Sequence, residues 1–387
     1  MKTTKMNYQI TIKNTEIMKK KVFFIISLAF AVTVFFTGCE EFSGPGNNDE
    51  SILPEEFSID VPGAISFDAS EKSATKSVEP INGNLIYLHL AHFIRIGEGG
   101  GALVESIIKS IARHQINQPV SLSYTSDDDG RIKNLEVTEN PYFEGQTWEF
   151  RMDITDANSE GNEDGGFAMQ IFWNRNPIKG VAILKPYNID RSNEENTSEA
   201  VFRIDYSQAG ERGYDAHMLV AASGLPVEDP LDNPYSTDGL KIFVGKSGDK
   251  IDVYGNSNHP NACFFNGDSG FNWAFVASGD SDLDIGVAEV GLPDSYLDEP
   301  SRSVLLEDYS IMNVFTNQIY EVWPNISRES VDIYLKNTEA PGFFDSEGFI
   351  QGGTSPGEDH DELTLRLPSL SPYNPKDIAE MTISFMN

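Results

Sequence analysis

WEFRMDI (148–154), FAMQIFW (167–173) and VAILKP (181–186) follow one another with only polar, glycine-containing breaks between them. In the first, Phe150, Met152 and Ile154 alternate with Arg151 and Asp153, the period of a strand with one buried face. The break before FAMQIFW contains EDGG (163–166), a composition that suits a turn and interrupts a helix. The same texture extends both ways. VSLSY (120–124) and IKNLEVT (132–138) come before, joined by DDDG (127–130). AVFRIDY (200–206), HMLVAAS (217–223), LKIFVG (240–245), KIDVYG (250–255), NWAFVA (272–277) and DIGVAEV (284–290) come after, with KSGDK (246–250) as a further turn. Short strands in close succession predict an antiparallel meander. A sheet this large must curl or close to protect its edges. The expected class is therefore mainly β, an antiparallel barrel or two-layer sandwich. The long turns and poor strand lengths argue against a transmembrane barrel.

Upstream, NLIYLHLAHFIRIGEGGGALVESIIKSIARHQ (84–115) breaks the pattern. Val104, Ile107, Ile108 and Ile111 recur at helical spacing, supported by a Glu105–Lys109 pair. Residues 85–96 are apolar almost all round and read as a buried helix or a buried strand. The glycines at 97 and 99–101 are expected to separate the two. This is the N-terminal helical element, and the helix-plus-sheet domain is expected over residues 84–300. Downstream, IYEVW (319–323), SVDIYLK (330–336), LTLRL (363–367) and MTISF (381–385) read as strands of a small β module or closing sheet at 301–387, after a boundary in GLPDSYLDEPSRS (291–303).

The N-terminus carries a different signal. Lys19, Lys20 and Lys21 precede an apolar run of 15 residues, Val22 to Phe36, followed by Thr37, Gly38 and Cys39. The run is short for a membrane span, which needs about 20 residues, and suits a secretory signal. The stretch resembles the lipobox of bacterial lipoproteins, with Phe36 where that family usually has Leu. The resemblance implies cleavage after Gly38, lipidation of Cys39 and a membrane anchor, with Met18 as the true start and residues 1–38 as the signal peptide. Glu40 and Glu41 resemble the export signal of Bacteroidota-type surface lipoproteins. That implies a lipid-anchored outer-membrane protein, facing the cell surface or the periplasm. Residues 39–83, rich in Ser, Glu, Asn, Gly and Pro, are expected to be an acidic tether and entry loop.

The full chain of 387 residues carries a formal charge of −32. Residues 1–38 hold six Lys and one Glu, so the 349 that follow keep 22 basic and 59 acidic residues, a charge of −37. That field repels nucleic acid and anionic lipid, and excludes a nucleic-acid partner from the reading. With Cys39 acylated, Cys263 has no disulfide partner, and the core must come from packing. Cys263 beside two phenylalanines reads as a small buried hydrophobe.

Motifs that carry chemistry are weak. GEGGGA (97–102) mimics a dinucleotide fingerprint, with Asp127 beyond it, but no series of βα units follows to support it. GDSG (267–270) and His92 imitate parts of a serine-protease triad, yet Phe271 and Asn272 replace the Gly and Pro that family expects. His89 and His92 have a spacing seen in metal pairs without a third ligand nearby. His360 in GEDHDEL reads as part of a solvated acidic loop. Two acidic turns are better candidates for calcium, which wants six to eight oxygens. Asp156, Asn158, Glu160, Asn162 and Asp164 alternate in DITDANSEGNEDGG, and Asp280, Asp282 and Asp284 alternate in GDSDLDIG. The first resembles the opening of an EF-hand loop but has Phe167 at the twelfth position and strand-like flanks.

Trp148, Trp173, Trp273 and Trp323, with 14 tyrosines, could stack on sugar rings or simply fill an antiparallel core. A glycosidase carboxylate pair cannot be picked from so many acids. The functional expectation is a non-catalytic binding, carrier or scaffold role, with an apolar ligand enclosed by the curled sheet. The alternatives are a surface glycan-binding or glycan-cleaving protein, or a structural subunit of an envelope complex.

Overall fold

The computed structural model describes residues 52–53, 57–66, 83–112, 118–192, 199–227, 229, 236–263 and 269–386. Cys39 and Gly38, with the whole of the signal-peptide stretch, lie outside the described residues. A single turn, α1 (Gly63–Ser66), and a long helix, α2 (Gly83–Ala112), precede the sheet. Thirteen strands then pair antiparallel in strict chain order. They are β1 (Val120–Thr125) and β2 (Ile132–Glu139), then, past a small hairpin of β3 (Tyr142–Phe143) and β4 (Gln146–Thr147), β5 (Phe150–Asp156), β6 (Phe167–Arg175) and β7 (Ile178–Leu184). A turn, α3 (Pro186–Ile189), leads to β8 (Val201–Ser207), β9 (Ala216–Ser223), β10 (Gly239–Ser247), β11 (Lys250–Cys263), β12 (Ser269–Asp280) and β13 (Ile285–Gly291). Helices α4 (Ile311–Val322) and α5 (Arg328–Tyr334) intervene before β14 (Gly342–Asp345) and β15 (Gly348–Gly352), and α6 (Glu358–Thr364) and α7 (Pro375–Ala379) follow. The protein is mainly β, as the alternation predicts. The sheet does not close, since β1 and β15 remain its two edges, and the arrangement fits a sandwich and not a barrel.

The inner face is one continuous apolar surface. Met152, Trp173, Ile204, Val220, Ile242, Val253, Phe275 and Phe344 from successive strands join Leu90, Ile94, Val104 and Ile108 of α2 in one core cluster. Helix α2 crosses this face obliquely. Tyr87 stacks on Phe349 and meets Phe344 edge-on, His89 and Phe93 lie against Trp273, and the next turns reach β10 and β9.

The glycines do not divide α2, contrary to expectation. A Cβ at Gly97 would stand 3.2 Å from Ile242, at Gly100 3.2 Å from Val220, and at Gly101 2.7 Å from Met218. These positions share one helix face, so the run lets α2 lie close against β9 and β10. Close packing outweighs the low intrinsic helix propensity of glycine.

Part of the expected tether also belongs to this core. Phe57 is fully buried, stacks on Tyr206 and sits where Gly180 leaves room, and Ile65 fills the space over Gly279 and Gly286. Three carboxylates hold the segment. Glu105 accepts from the Ser58 hydroxyl at 3.0 Å, Glu98 from the Val61 amide at 2.9 Å, and Asp284 from the Ala64 amide at 2.9 Å.

The C-terminal region holds far more helix than strand, which corrects the β-module expectation. IYEVW lies in α4 and its C-terminal end, SVDIYLK in α5 and its end, and LTLRL in α6 and the turn after it, while MTISF forms no strand. Only β14 and β15 extend the sheet. Ile311, Phe315 and Ile319 recur every fourth residue, and Ser310 and Ser327 cap α4 and α5 by accepting from backbone amides three residues on. Leu363, Leu367 and Leu370 cover Ala274, Val276 and Phe343 on the outer face of the sheet. Further along that face, Ile383, Phe385 and Met386 cover Trp148, Phe172, Val181 and Ile183. Among the described residues no helix is long and apolar enough to cross a membrane.

Candidate functional site: an aromatic and cationic strip on the outer face

The two acidic turns are occupied by the protein itself. Asp156 is fully buried and receives Arg131 through two bonds, at 2.6 and 2.7 Å, and Lys133 at 2.9 Å. Burial alone would raise its pKa, but these bonds hold it well below the usual carboxylate range. Lys133, itself only 2% exposed, also reaches Asp129 at 2.8 Å and the Asn188 carbonyl at 2.9 Å. The neighbouring carboxylates turn elsewhere. Asp164 binds Lys185 and Asn188, each at 2.9 Å, and Glu160 accepts from Asn134, while the Asn158 amide caps back onto Asp156.

In the second turn Asp280 pairs with Lys250 and accepts from the amides of Asp282 and Leu283, while Asp284 is committed to Ala64. Among the described residues no group of three or more His, Cys, Asp or Glu comes together to hold a metal ion. The calcium reading therefore finds cations of the chain where it placed the ion.

Other sequence candidates resolve into packing. His360 is buried, not part of a solvated loop. Its Nε2 lies 3.0 Å from the Phe344 carbonyl and its ring meets Phe343 edge-on. His89 and His92 lie in α2, with the His89 ring 5.4 Å from Trp273. Gly267 and Asp268 lie outside the described residues, and Ser269 begins β12. Trp148 and Trp173 are buried, donating to the Phe143 and Ile52 carbonyls, while Trp323 is 51% exposed. A groove of about 570 Å³ on the outer face near β1 sets Glu136 opposite Asp153. Asp153 already binds Arg151 and Gln170, which ties it down as a structural acid.

Between the two apolar clusters of the outer face lies a strip of another character. The His217 ring stacks on Phe243 at 5.7 Å, Phe243 on Tyr254 at 4.7 Å, and Tyr254 meets Tyr373 at 5.6 Å. Strand pairing builds most of this row, since Phe243 and Tyr254 are direct partners in β10 and β11. Tyr373 arrives from the segment before α7. Tyr214 flanks Phe243 at 5.5 Å, where Gly245 leaves no side chain in the way, and donates to Asp252 at 3.0 Å. Asp252 also receives Arg366 through two bonds, at 2.8 and 2.6 Å, which pins the C-terminal layer to the sheet.

Two cations complete the strip. The Lys241 ammonium lies 4.5 Å from the Tyr373 ring centre, and the exposed Arg212 guanidinium 5.5 Å from that of Phe243. Neither forms an ion pair with a carboxylate among the described residues. Burial lowers the Lys241 pKa, with Asp205 opposing it, and raises those of Tyr254 and Tyr373. Burial also lowers that of His217, with Arg212 adding to the effect. The strip therefore offers neutral rings, neutral phenols and two cations, a chemistry suited to a ring-shaped ligand bearing an acid group. Comparison with protein-family models, with curated proteins and with solved structures finds no match to this chain.

Sequence reasoning weighed the tryptophans and tyrosines together as a platform but did not single out Tyr254 and Tyr373 or the row they form with Phe243. One local signal was available, the alternation that puts Lys241 and Phe243 on one face of β10, with Tyr254 paired to Phe243. The arrival of Tyr373 had none.

Proposed function

We propose that this chain is a lipid-anchored envelope lipoprotein with a non-catalytic binding role, and that its ligand is an acidic glycan bound along the Lys241–Phe243–Tyr254–Tyr373 strip. The observation that carries the reading is a row of stacked rings, with Tyr254 and Tyr373 half-buried beside the buried Phe243, next to two cations that form no ion pair among the described residues, on a chain of net charge −32. A general anion binder would not need the rings, and an apolar carrier would not need the cations. The apolar-ligand alternative has less support, because α2 and residues 57–66 fill the inner face on which such a ligand would lie. The anchor rests on the lipobox resemblance around Cys39.

Calorimetric titration of residues 40–387 with a hexuronate oligosaccharide tests the ligand. The expected outcome is saturable binding that Lys241→Ala and Tyr373→Ala each weaken at least tenfold. Equal binding by both variants, or no heat with wild type, refutes it. Labelling with a clickable fatty acid tests the anchor: Cys39→Ser should lose both label and membrane association.

A further inference from the structure

Directly beside the strip, β11 and β12 bury a row of amides. Asn256, two residues from Tyr254 on the same face and paired with Lys241, is fully buried, and so is Asn272. Asn258 stands opposite Asn272 in the register and is 3% exposed. Both polar atoms of Asn256 and of Asn272 lack a hydrogen-bond partner, as does the Oδ1 of Asn258. The Ser295 hydroxyl and the Asn374 Oδ1, from the segments that cover this row, lack one too. Buried amides left unpaired are strongly disfavoured, and native interiors avoid grouping them. Five such atoms on the sheet and two facing them from the cover therefore mark a place where hydroxyl groups belong, supplied by water or by a ligand.

The row is covered by two segments. Residues 293–298 approach through the Pro293 carbonyl, which accepts from the Asn272 backbone N–H at 2.8 Å, and α7 packs on β10 and β11. The two covering segments meet at Asp298, which accepts from Asn374 at 2.9 Å and from Lys376 at 3.0 Å. The Asp298 and Lys376 side chains are 62% and 39% exposed, so water and salt screen the pair. Beside it, the Lys376 amide donates to the Leu297 carbonyl at 3.3 Å.

We propose that the amide row is the hydroxyl-binding half of the glycan site, reached when the Asp298 clasp opens. It rests on the reading of the strip as a glycan platform. In it, the rings take the sugar faces, Lys241 takes the acid group, and Asn256 and Asn272 take hydroxyls. Each amide supplies one donor group and one acceptor, the pattern that neighbouring sugar hydroxyls match.

The test titrates wild type, Lys241→Ala, Asn256→Leu, Asn272→Leu and Asp298→Ala with a hexuronate and a neutral hexose oligosaccharide. Thermal unfolding is followed in parallel. Lys241→Ala should weaken the hexuronate at least tenfold and leave the neutral sugar nearly unchanged. Asn256→Leu and Asn272→Leu should weaken both sugars at least tenfold. Asp298→Ala, a surface change that leaves the fold intact, should raise the association rate several-fold. Wild-type-like affinity in both leucine variants would mean that the row holds water only. That overturns this inference while the Lys241 effect upholds the strip. An unchanged association rate in Asp298→Ala removes the clasp as the entrance, and it decides the matter even if the leucine variants do not fold. Failure of wild type to bind either sugar would instead overturn the reading of the strip itself.

Discussion

The two faces of one sheet have been built to different rules. The inner face is largely apolar from β2 to β14 and meets α2, residues 57–66 and the start of α4 in one shared core. The outer face is divided into an apolar patch under the C-terminal tail, another under α6, and a polar aromatic strip between them. Continuity gives stability, because every buried ring is held by neighbours from several strands. Division leaves room for chemistry, because side chains in the strip need not all be satisfied by the fold. The proposed binding site lies on the face where the packing is interrupted.

That contrast is breakable by mutation. Phe275→Ala, at the centre of the inner face, should lower the unfolding free energy by about 3–5 kcal/mol in urea denaturation, as large core truncations do. A loss below about 1 kcal/mol would mean the inner face is not the shared core.

Asp156→Ala should come next, at about 3 kcal/mol, since it leaves Lys133 buried beside Asp129 with its second carboxylate removed. Adding calcium to the wild type should not shift its melting temperature, and a clear upward shift would restore the metal reading of that turn.

Glu98 sharpens the comparison through pH. Burial, with Asp60 adding to it and Arg95 opposing it, pushes its carboxyl up to about 7. The folded state therefore holds a proton that the unfolded state releases between about pH 4.5 and 7, and stability from this group falls as pH rises through that window. Glu98→Gln keeps an acceptor for the Val61 amide. It should stabilise the protein by about 2 kcal/mol at pH 8 and by almost nothing at pH 4. Equal effects at both pH values would show that Glu98 titrates normally.

The smallest stability effect belongs to the strip. Lys241→Ala should change the unfolding free energy by less than about 0.5 kcal/mol while glycan affinity falls. A large destabilisation would make the strip another structural patch.

The sequence made the sheet legible because a one-sided strand must alternate. The runs from VSLSY to DIGVAEV lie in β1, β2 and β5 to β13, and the turns between them are rich in Gly, Asn and Asp. What escaped is governed by distant partners. The glycines of α2 look like a break until Ile242, Val220 and Met218 are known to press on them. The β-branched and aromatic residues of IYEVW and SVDIYLK favour a strand locally, and only the fourfold spacing of Ile311, Phe315 and Ile319 and the capping serines favour helices. The acidic turns read as calcium loops because nothing in their own residues announces Arg131, Lys133 or Lys250. The strip was hidden for the same reason, since Tyr373 joins Tyr254 only through the C-terminal layer.

Strict chain-order pairing also has a consequence for how the molecule assembles. From β1 to β13 each strand of the sheet finds its partner in the sheet's next strand along the chain, so that part of the sheet can zip from any hairpin with little loop entropy to overcome. Helix α2 cannot follow that rule. It is made before any strand, yet Tyr87 near its beginning waits for Phe344 and Phe349, while Gly100 and Gly101 meet β9. An element made before the whole sheet therefore receives its last contacts from the latest strands. A nascent or truncated chain that lacks β14 and β15 would carry a zipped sheet around a helix with its first turns still bare, the form most exposed to proteases and chaperones.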